Sequence, residues 1–265
     1  MEALIHQLKD LTVWFAISAV LFSILAYLAP SLRGQRFLRK GIILDTFYWF
    51  LTPIMSTALS PFVILAIGST LLLLSGKKQF SIFVESPIAL QVLVVLLLSD
   101  ILQYVSHRLF HGTYLWKYHA IHHSPTEIDW LTSSRFHPVN ILIHSTLIAG
   151  LVSALGFDPA VFALLVPFNI IYSGMVHANL NWTFGPLAKV FASPIFHRWH
   201  HTFPDEGGNK NFAPTFSFLD VLFGTYYMPK DKVPTRFGID TPIEEDLIEQ
   251  LLSPWKQGET KAVKG

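Results

Sequence analysis

The chain has 265 residues, 51% of them hydrophobic and only 14% charged, with a net charge of +1 at neutral pH and a mean hydropathy of +0.44. A water-soluble domain carries about 25% charged residues, so this surface must meet lipid as well as water, and a nearly neutral chain has no electrostatic footprint for nucleic acid. Cysteine is absent, which excludes disulfides, zinc–thiolate sites, iron–sulfur clusters and a cysteine nucleophile, whereas twelve histidines are present and most stand in a few tight groups.

The first element is an uncharged run of 19 residues, Leu11 to Ala29. As a helix it would span about 28 Å, close to the hydrocarbon thickness of a bilayer, and Pro30 closes it. The basic cluster Arg33, Arg36, Arg39 and Lys40 follows the run and no small-residue cleavage site is present. A membrane span is therefore expected rather than a signal peptide, with the basic cluster in the cytoplasm. From Ile42 to Leu74 the sequence is apolar but too long for one straight span, and Asp45, Pro53 and Pro61 interrupt it. The expectation is an interfacial lead-in to about Thr52 and then a span to Leu74, ended by Lys77 and Lys78. A third span from about Ile88 into Tyr104 returns the chain to the cytoplasm.

Between Val139 and Ala178 the only charge is Asp158, in the turn signature Gly156-Phe157-Asp158-Pro159. This predicts a helical hairpin with both ends on the cytoplasmic side. Residues 229–265 read as a soluble tail, where Thr241-Pro242-Ile243-Glu244 fits a capping box. Ile243, Leu247, Ile248, Leu251 and Leu252 would then line one face of a short amphipathic helix packed on the body. The whole reading, for residues 1–265, is one all-α membrane domain: a bundle of about four or five transmembrane helices with a cytosolic, histidine-rich helical cap.

The histidines carry the chemistry. His107 and His111 are spaced i, i+4, so both imidazoles stand on one helix face. His119, His122 and His123 form a second box, and His197, His200 and His201 a third, each spaced i, i+3, i+4, so the three rings of a box are again expected to converge on one face. His177 falls where the hairpin returns. Neutral imidazole suits iron, zinc and copper. Nine rings are too many for one metal and suit two, with a position left open. Asp100, Asn179, Asn211 and Asp220 are expected to hold the far ring nitrogens of the ligands. His137 opens the fourth span before Pro138, and His144 inside the hairpin is expected to hydrogen-bond within the bundle. His6 is expected to be exposed. Arg108 and Arg198, each beside a box histidine, are expected to pair with a carboxylate or with lipid headgroups.

The boxes and their order resemble the fatty acid hydroxylase superfamily, which includes sterol desaturases, sterol C-4 methyl oxidases, lipid hydroxylases and alkylglycerol monooxygenase. The resemblance runs from about Asp100 to Tyr227, the histidine-box region 100–227. It takes in His107-Arg108-Leu109-Phe110-His111, His119 to Ser124, Arg135-Phe136-His137-Pro138, His177-Ala178-Asn179, His197 to His201, Asn211-Phe212-Ala213 and Leu219 to Thr225. Two positions depart from it: many members have Trp where Leu219 stands, and some carry a further histidine where Ser173 stands.

The resemblance implies a cytosol-facing centre of two iron ions, O2 as co-substrate and a lipid substrate that is hydroxylated or desaturated. Zinc could replace iron in a purified sample. Electrons would come from a separate donor, cytochrome b5 or ferredoxin with its reductase, because the chain has no Gly-rich dinucleotide motif and no His-Pro-Gly-Gly haem segment. The short chain, with Lys261 and Lys264 out of place for a di-lysine retrieval signal, favours a bacterial inner membrane over endoplasmic reticulum. A zinc hydrolase would want a glutamate beside its ligands, as in H-E-x-x-H, and no box has one. A bis-histidine haem protein would want paired histidines at two membrane depths. The substrate is expected to enter from the bilayer past apolar walls: Leu97, Leu98, Ile101, Leu142, Phe168, Ile171, Tyr172 and Met175, with Ala178 beside them.

Overall fold

The computed structural model describes residues 2–76, 83–158 and 160–256. Its elements are α1 (Glu2–Leu28), α2 (Ile42–Ser75), α3 (Ile88–Phe110), α4 (Trp116–His123), α5 (Pro138–Leu155), α6 (Ala160–His177), α7 (Pro194–His200), α8 (Phe218–Leu222) and α9 (Leu247–Lys256), with 3-10 turns at Trp130–Ser134 and Gly185–Lys189. Among the described residues there is no strand, only an isolated bridge between Thr202 and Phe237. Four helices, α1, α2, α3 and α6, are long and apolar enough to cross a membrane. The chain is an all-α integral membrane bundle. Lys77, Lys78, Pro159, Lys261 and Lys264 lie outside the described residues.

The second span differs from expectation. Instead of a lead-in and a break near Thr52, α2 runs 34 residues through Pro53 and Pro61. A proline in a helix frees the carbonyl four residues earlier, and polar neighbours can take its place. The carbonyl of Thr57, freed by Pro61, accepts the Ser60 hydroxyl at 3.1 Å. Gln7 of α1 reaches both the Pro53 carbonyl and the Thr57 hydroxyl.

Asp45 does not break the helix because its charge is matched. It is fully buried between Arg39 (2.6 Å) and Arg135. Arg39 also meets Asp129 at 2.7 Å, and Arg135 meets Glu245 at 3.0 Å. This network ties the basic loop, α2, the segment after α4 and the C-terminal tail together. Removing one member of a buried network strands its partners' charges, a loss of about 3–5 kcal/mol. Asp45→Ala should therefore lower the unfolding temperature in detergent sharply. Glu249→Ala, which breaks only the exposed pair with Lys256, should move it little. Equal shifts would show that the buried network does not hold the cap on the bundle.

Where the cap meets the bundle the core is aromatic. Trp49 and Trp130 pack edge to face at 5.3 Å, and Phe15 meets Trp130 at 5.5 Å. Gly174 lets α1 approach α6 closely, since a Cβ there would lie 2.7 Å from the Phe22 ring. The expected capping box is absent. Asp246 caps α9 instead, accepting from the amides of Ile248 and Glu249, so the helix starts five residues after Pro242. Ile243 and Leu247 still pack against Leu44, Tyr48 and Ile121, whereas Ile248 and Leu252 are exposed.

Candidate metal centre

All nine box-region histidines are buried, and short elements deliver them. His107 lies in the last turn of α3 and His111 caps its end. α4 carries His119, His122 and His123. α6 ends on His177. α7 starts cleanly because Pro194 takes its first position and the Ser193 hydroxyl accepts from the Phe196 amide at 3.2 Å. It presents His197 and His200, and His201 caps it.

The rings gather into two groups whose nitrogens lie within 4.8 Å of one another: His107, His111, His119, His123 and His200 in one, and His122, His177, His197 and His201 in the other. Each three-histidine box is divided between them. The i, i+4 pair of α4 faces the first group and its middle histidine the second, while α7 does the reverse. The expectation that a box presents all three rings to one place is corrected here. Successive residues on a helix point about 100° apart, so His122 and His123, like His200 and His201, reach opposite groups. The groups touch, with His123 stacked on His201 at 4.4 Å.

Protonation follows from the hydrogen bonds. Nδ1 of His107 faces the Phe212 carbonyl (2.8 Å), that of His122 the Arg135 carbonyl (3.2 Å), that of His177 the Ser173 carbonyl (2.7 Å) and that of His200 the Lys210 carbonyl (2.7 Å). Nδ1 of His119 faces the Asn140 side-chain oxygen (2.8 Å). These oxygens only accept, so each Nδ1 carries the proton and each Nε2 a lone pair. Nε2 of His107, His119, His123 and His200 is buried without a partner. In the second group Nε2 of His177 lies 3.3 Å from Nε2 of His122 and 3.0 Å from that of His197. The facing lone pairs of His122 and His177 fit a cation between them at that range. Burial first, and the neighbouring imidazoles second, hold His119, His122, His123, His197, His200 and His201 well below the ordinary imidazole value. They stay neutral, as a nitrogen ligand must be. The all-nitrogen donor set therefore suits a transition metal in each group.

The four expected supporting residues act one step further out. Asp100 accepts from the amides of Thr215 and Phe216. Asp220 accepts from those of Phe212 and Ala213 and so fixes the carbonyl that holds His107. Asn211, in a left-handed conformation at φ 59°, ties Phe196 to Tyr227. Asn179 clasps both backbone groups of Leu32. Among the described residues none of the four hydrogen-bonds to a ring of the nine. Asn140, which does, went unassigned in the sequence, and its one signal there was a polar residue among apolar ones.

His137 stands apart, with Nδ1 capping α5 and Nε2 donating to the Leu251 carbonyl. His144 bonds to Ser106 at 3.2 Å within the bundle, and His6 is exposed beside Asp10. Arg198 has no carboxylate within ion-pair distance among the described residues. It is fully buried, donates to the carbonyls of Ile128 and His177, and burial lowers its pKa to about 9. Arg108 reaches the Tyr104 hydroxyl at 3.5 Å, and its charge acts on the nearby Asp220 carboxylate.

A cavity of about 260 Å³ opens beside the rings, against His107, His119, His122, His177 and His197. Of the apolar wall residues expected, only Tyr172 lines it. Ile101 and Leu142 point outward, Leu98 packs near Phe157 and Val161, and Ala178 is buried in the Trp49–Trp130 core. Helical phase decides this: α6 turns Asn169, Tyr172, Ser173 and Val176 toward the cavity.

The comparisons with known proteins agree with this site. The family model described as fatty acid hydroxylase matches residues 92–225, half of the chain. The chain is 30% identical to ornithine lipid hydroxylase OlsE of Rhizobium tropici, over 68% of this chain and 54% of that protein. It is 29% identical to alkylglycerol monooxygenase of Caenorhabditis elegans, over 64% and 35%, and 24% identical to methylsterol monooxygenase 2-2 of Arabidopsis thaliana, over 56% and 57%. The chain thus spans between about a third and somewhat over half of these relatives. No solved structure matches it. With every box of the resemblance inside the matched segment, and all nine of its histidines in one buried centre, the chain belongs to the fatty acid hydroxylase family.

Proposed function

We propose that this protein is a membrane oxygenase that hydroxylates a C–H bond of a lipid at a two-metal centre. The observation that carries the reading is the pair of buried histidine groups, with unpartnered nitrogens converging beside a cavity that α3 and α6 form within the membrane bundle. Two iron ions held by these nine histidines would supply O2 activation and hydrogen removal from the substrate. The protein's own part is positional. Carbonyls and Asn140 lock five of the rings with Nε2 inward, and burial keeps the rings neutral. Pro214 and Thr215, held by Asp100, help close the cavity wall.

For balance, one oxygen atom enters the substrate and the other leaves as water, taking up two electrons and two protons. Those electrons come from a separate donor, either cytochrome b5 or a ferredoxin with its reductase. Hydroxylation is preferred to desaturation because the similar proteins above are named as hydroxylases and monooxygenases. Lipid profiles of cells with and without the protein should reveal a product heavier by one oxygen atom. A product lacking two hydrogens instead would make it a desaturase, and no change in any lipid would refute the oxygenase reading.

The centre faces the cytoplasm, of a bacterial inner membrane in this reading. Both ends of the α5–α6 hairpin meet the histidine centre, through Asn140 at its start and His177 at its end. Reporter fusions after residues 130 and 190 should therefore both read cytoplasmic. Opposite sides would break the topology.

A further inference from the structure

The cavity beside the histidines says what kind of lipid this oxygenase takes, an inference that rests on the reading above. At about 260 Å³ it is smaller than the roughly 300–1,000 Å³ of pockets that enclose a whole ligand, so it admits only the reacting part of a lipid. A second cavity of about 550 Å³ lies between α1, α2 and α6, against Leu11, Trp14, Trp49 and Ile170. The two meet at Phe136, Asn169 and Ser173, which line both. The larger one offers the wider apolar surface for a hydrocarbon chain, although Gln7, Asp10, Ser56, Thr57 and Ser133 also line it.

The smaller one sets polar groups beside the rings. Gln103, Asn169 and Ser173 line it, and among the described residues their side chains have no hydrogen-bond partner. Many hydroxyls elsewhere in the apolar helices bond the carbonyl four residues back, as those of Thr12, Thr70 and Thr146 do, and the exceptions, Ser18 of α1 and Tyr48 of α2, line neither cavity. Asn169 is exposed and Gln103 and Ser173 are half-buried, so two amides and a hydroxyl stand open to whatever fills the cavity, and within a membrane bundle they favour something polar there. Their placement is also regular. Gln103 stands one turn before His107 on α3, and Asn169 and Ser173 stand two turns and one turn before His177 on α6. All three side chains thus lie on the helix faces that bring histidines to the centre, about 6–12 Å along the axis from them. An amide both donates and accepts, so the set matches a carbonyl, ether or hydroxyl oxygen and offers nothing to a plain methylene.

We propose that Gln103, Asn169 and Ser173 grip a polar linkage of the substrate. The carbon oxidised is then one close to an ester, amide, ether or hydroxyl group, and not one in mid-chain or at the terminal methyl. The hydrocarbon remainder lies in the α1–α2–α6 cavity.

The test uses the full-length, metal-loaded protein in lipid nanodiscs, with radiolabelled N-palmitoylglycine, hexadecylglycerol ether and hexadecane as probes of similar chain length. At least one polar probe should bind at least about tenfold tighter than hexadecane. Gln103→Leu and Asn169→Leu should each weaken that binding by about tenfold, the scale of one lost hydrogen bond. Metal content and hexadecane binding should not change. Ser173→Ala, the smallest change, carries the same comparison if a leucine variant fails to retain its metals. Wild-type protein that binds hexadecane as tightly as both polar probes, or variants that keep full affinity for the polar probe, would overturn the proposal. Product analysis separates it from the oxygenase reading. Selective binding with no oxygen inserted leaves the grip standing and the oxygenase reading refuted. Oxygen placed in mid-chain of a polar probe does the reverse.

Discussion

Iron-loaded wild-type protein is expected to hold two metal ions per chain, and His122→Ala is expected to lose metal from one group and all turnover. The two histidine groups are unequal, with five rings in one and four in the other. Removing a ring from the second leaves three nitrogens, whereas removing one from the first leaves four. His122→Ala should therefore lose metal more readily than His111→Ala. It also leaves Nε2 of His177 without its closest neighbour but one. A gentler change acts through the ring anchor. Asn140→Ala keeps all nine histidines but frees His119 to rotate, and losing such an anchor weakens metal binding by about 10–100-fold. Elemental analysis of purified variants, paired with product detection, orders the three. If His122→Ala keeps both metals and full turnover, the nine-ligand centre is wrong.

The sequence and the structure agree where spacing alone carries the information. Any helix brings residues at i and i+4 to one face, so His107 with His111, His119 with His123 and His197 with His201 were legible as pairs. Uncharged runs made the membrane helices legible for a similar reason, because lipid penalises every charge. What could not be read is how whole helices rotate against one another. That rotation divides α4 and α7 between two groups and turns Asn169 and Ser173, rather than Phe168 or Ile171, toward the cavity. Carbonyl anchors were hidden too, because Phe212, Arg135, Ser173 and Lys210 hold rings through backbone oxygens that every residue has. Asp45 misled for the opposite reason. A carboxylate in an apolar stretch looked like an interruption, and only the fold brings Arg39 and Arg135 to it. The tail helix was displaced because Asp246 competes with Thr241 as a cap, and an extended stretch from Thr241 lets Ile243 reach Leu44.

Metal-free protein should lose stability steeply as the solution is acidified from about pH 7 to about pH 5, the window set by the ordinary imidazole value. The sign follows from the six cap histidines, His119, His122, His123, His197, His200 and His201, whose pKa values all lie well below that value in the folded state. Above the ordinary value both folded and unfolded chains keep these rings neutral, and pH has no effect through them. Below it the unfolded chain takes up protons that the folded chain refuses, so protonation draws the equilibrium toward unfolding. Each ring contributes up to about 1.4 kcal/mol per pH unit in that window. Six acting together make the cap the first part of the molecule to open in acid. Metal should change the height of the profile and not its direction. Ions bind only the neutral rings and stabilise the protein most near neutrality, and protons displace them as the pH falls. The unfolding temperatures of loaded and metal-free protein, measured across this range, should therefore converge on the acid side. A flat profile for the metal-free protein would show that these rings are open to water in the folded state, and a buried nitrogen-only centre could not then stand.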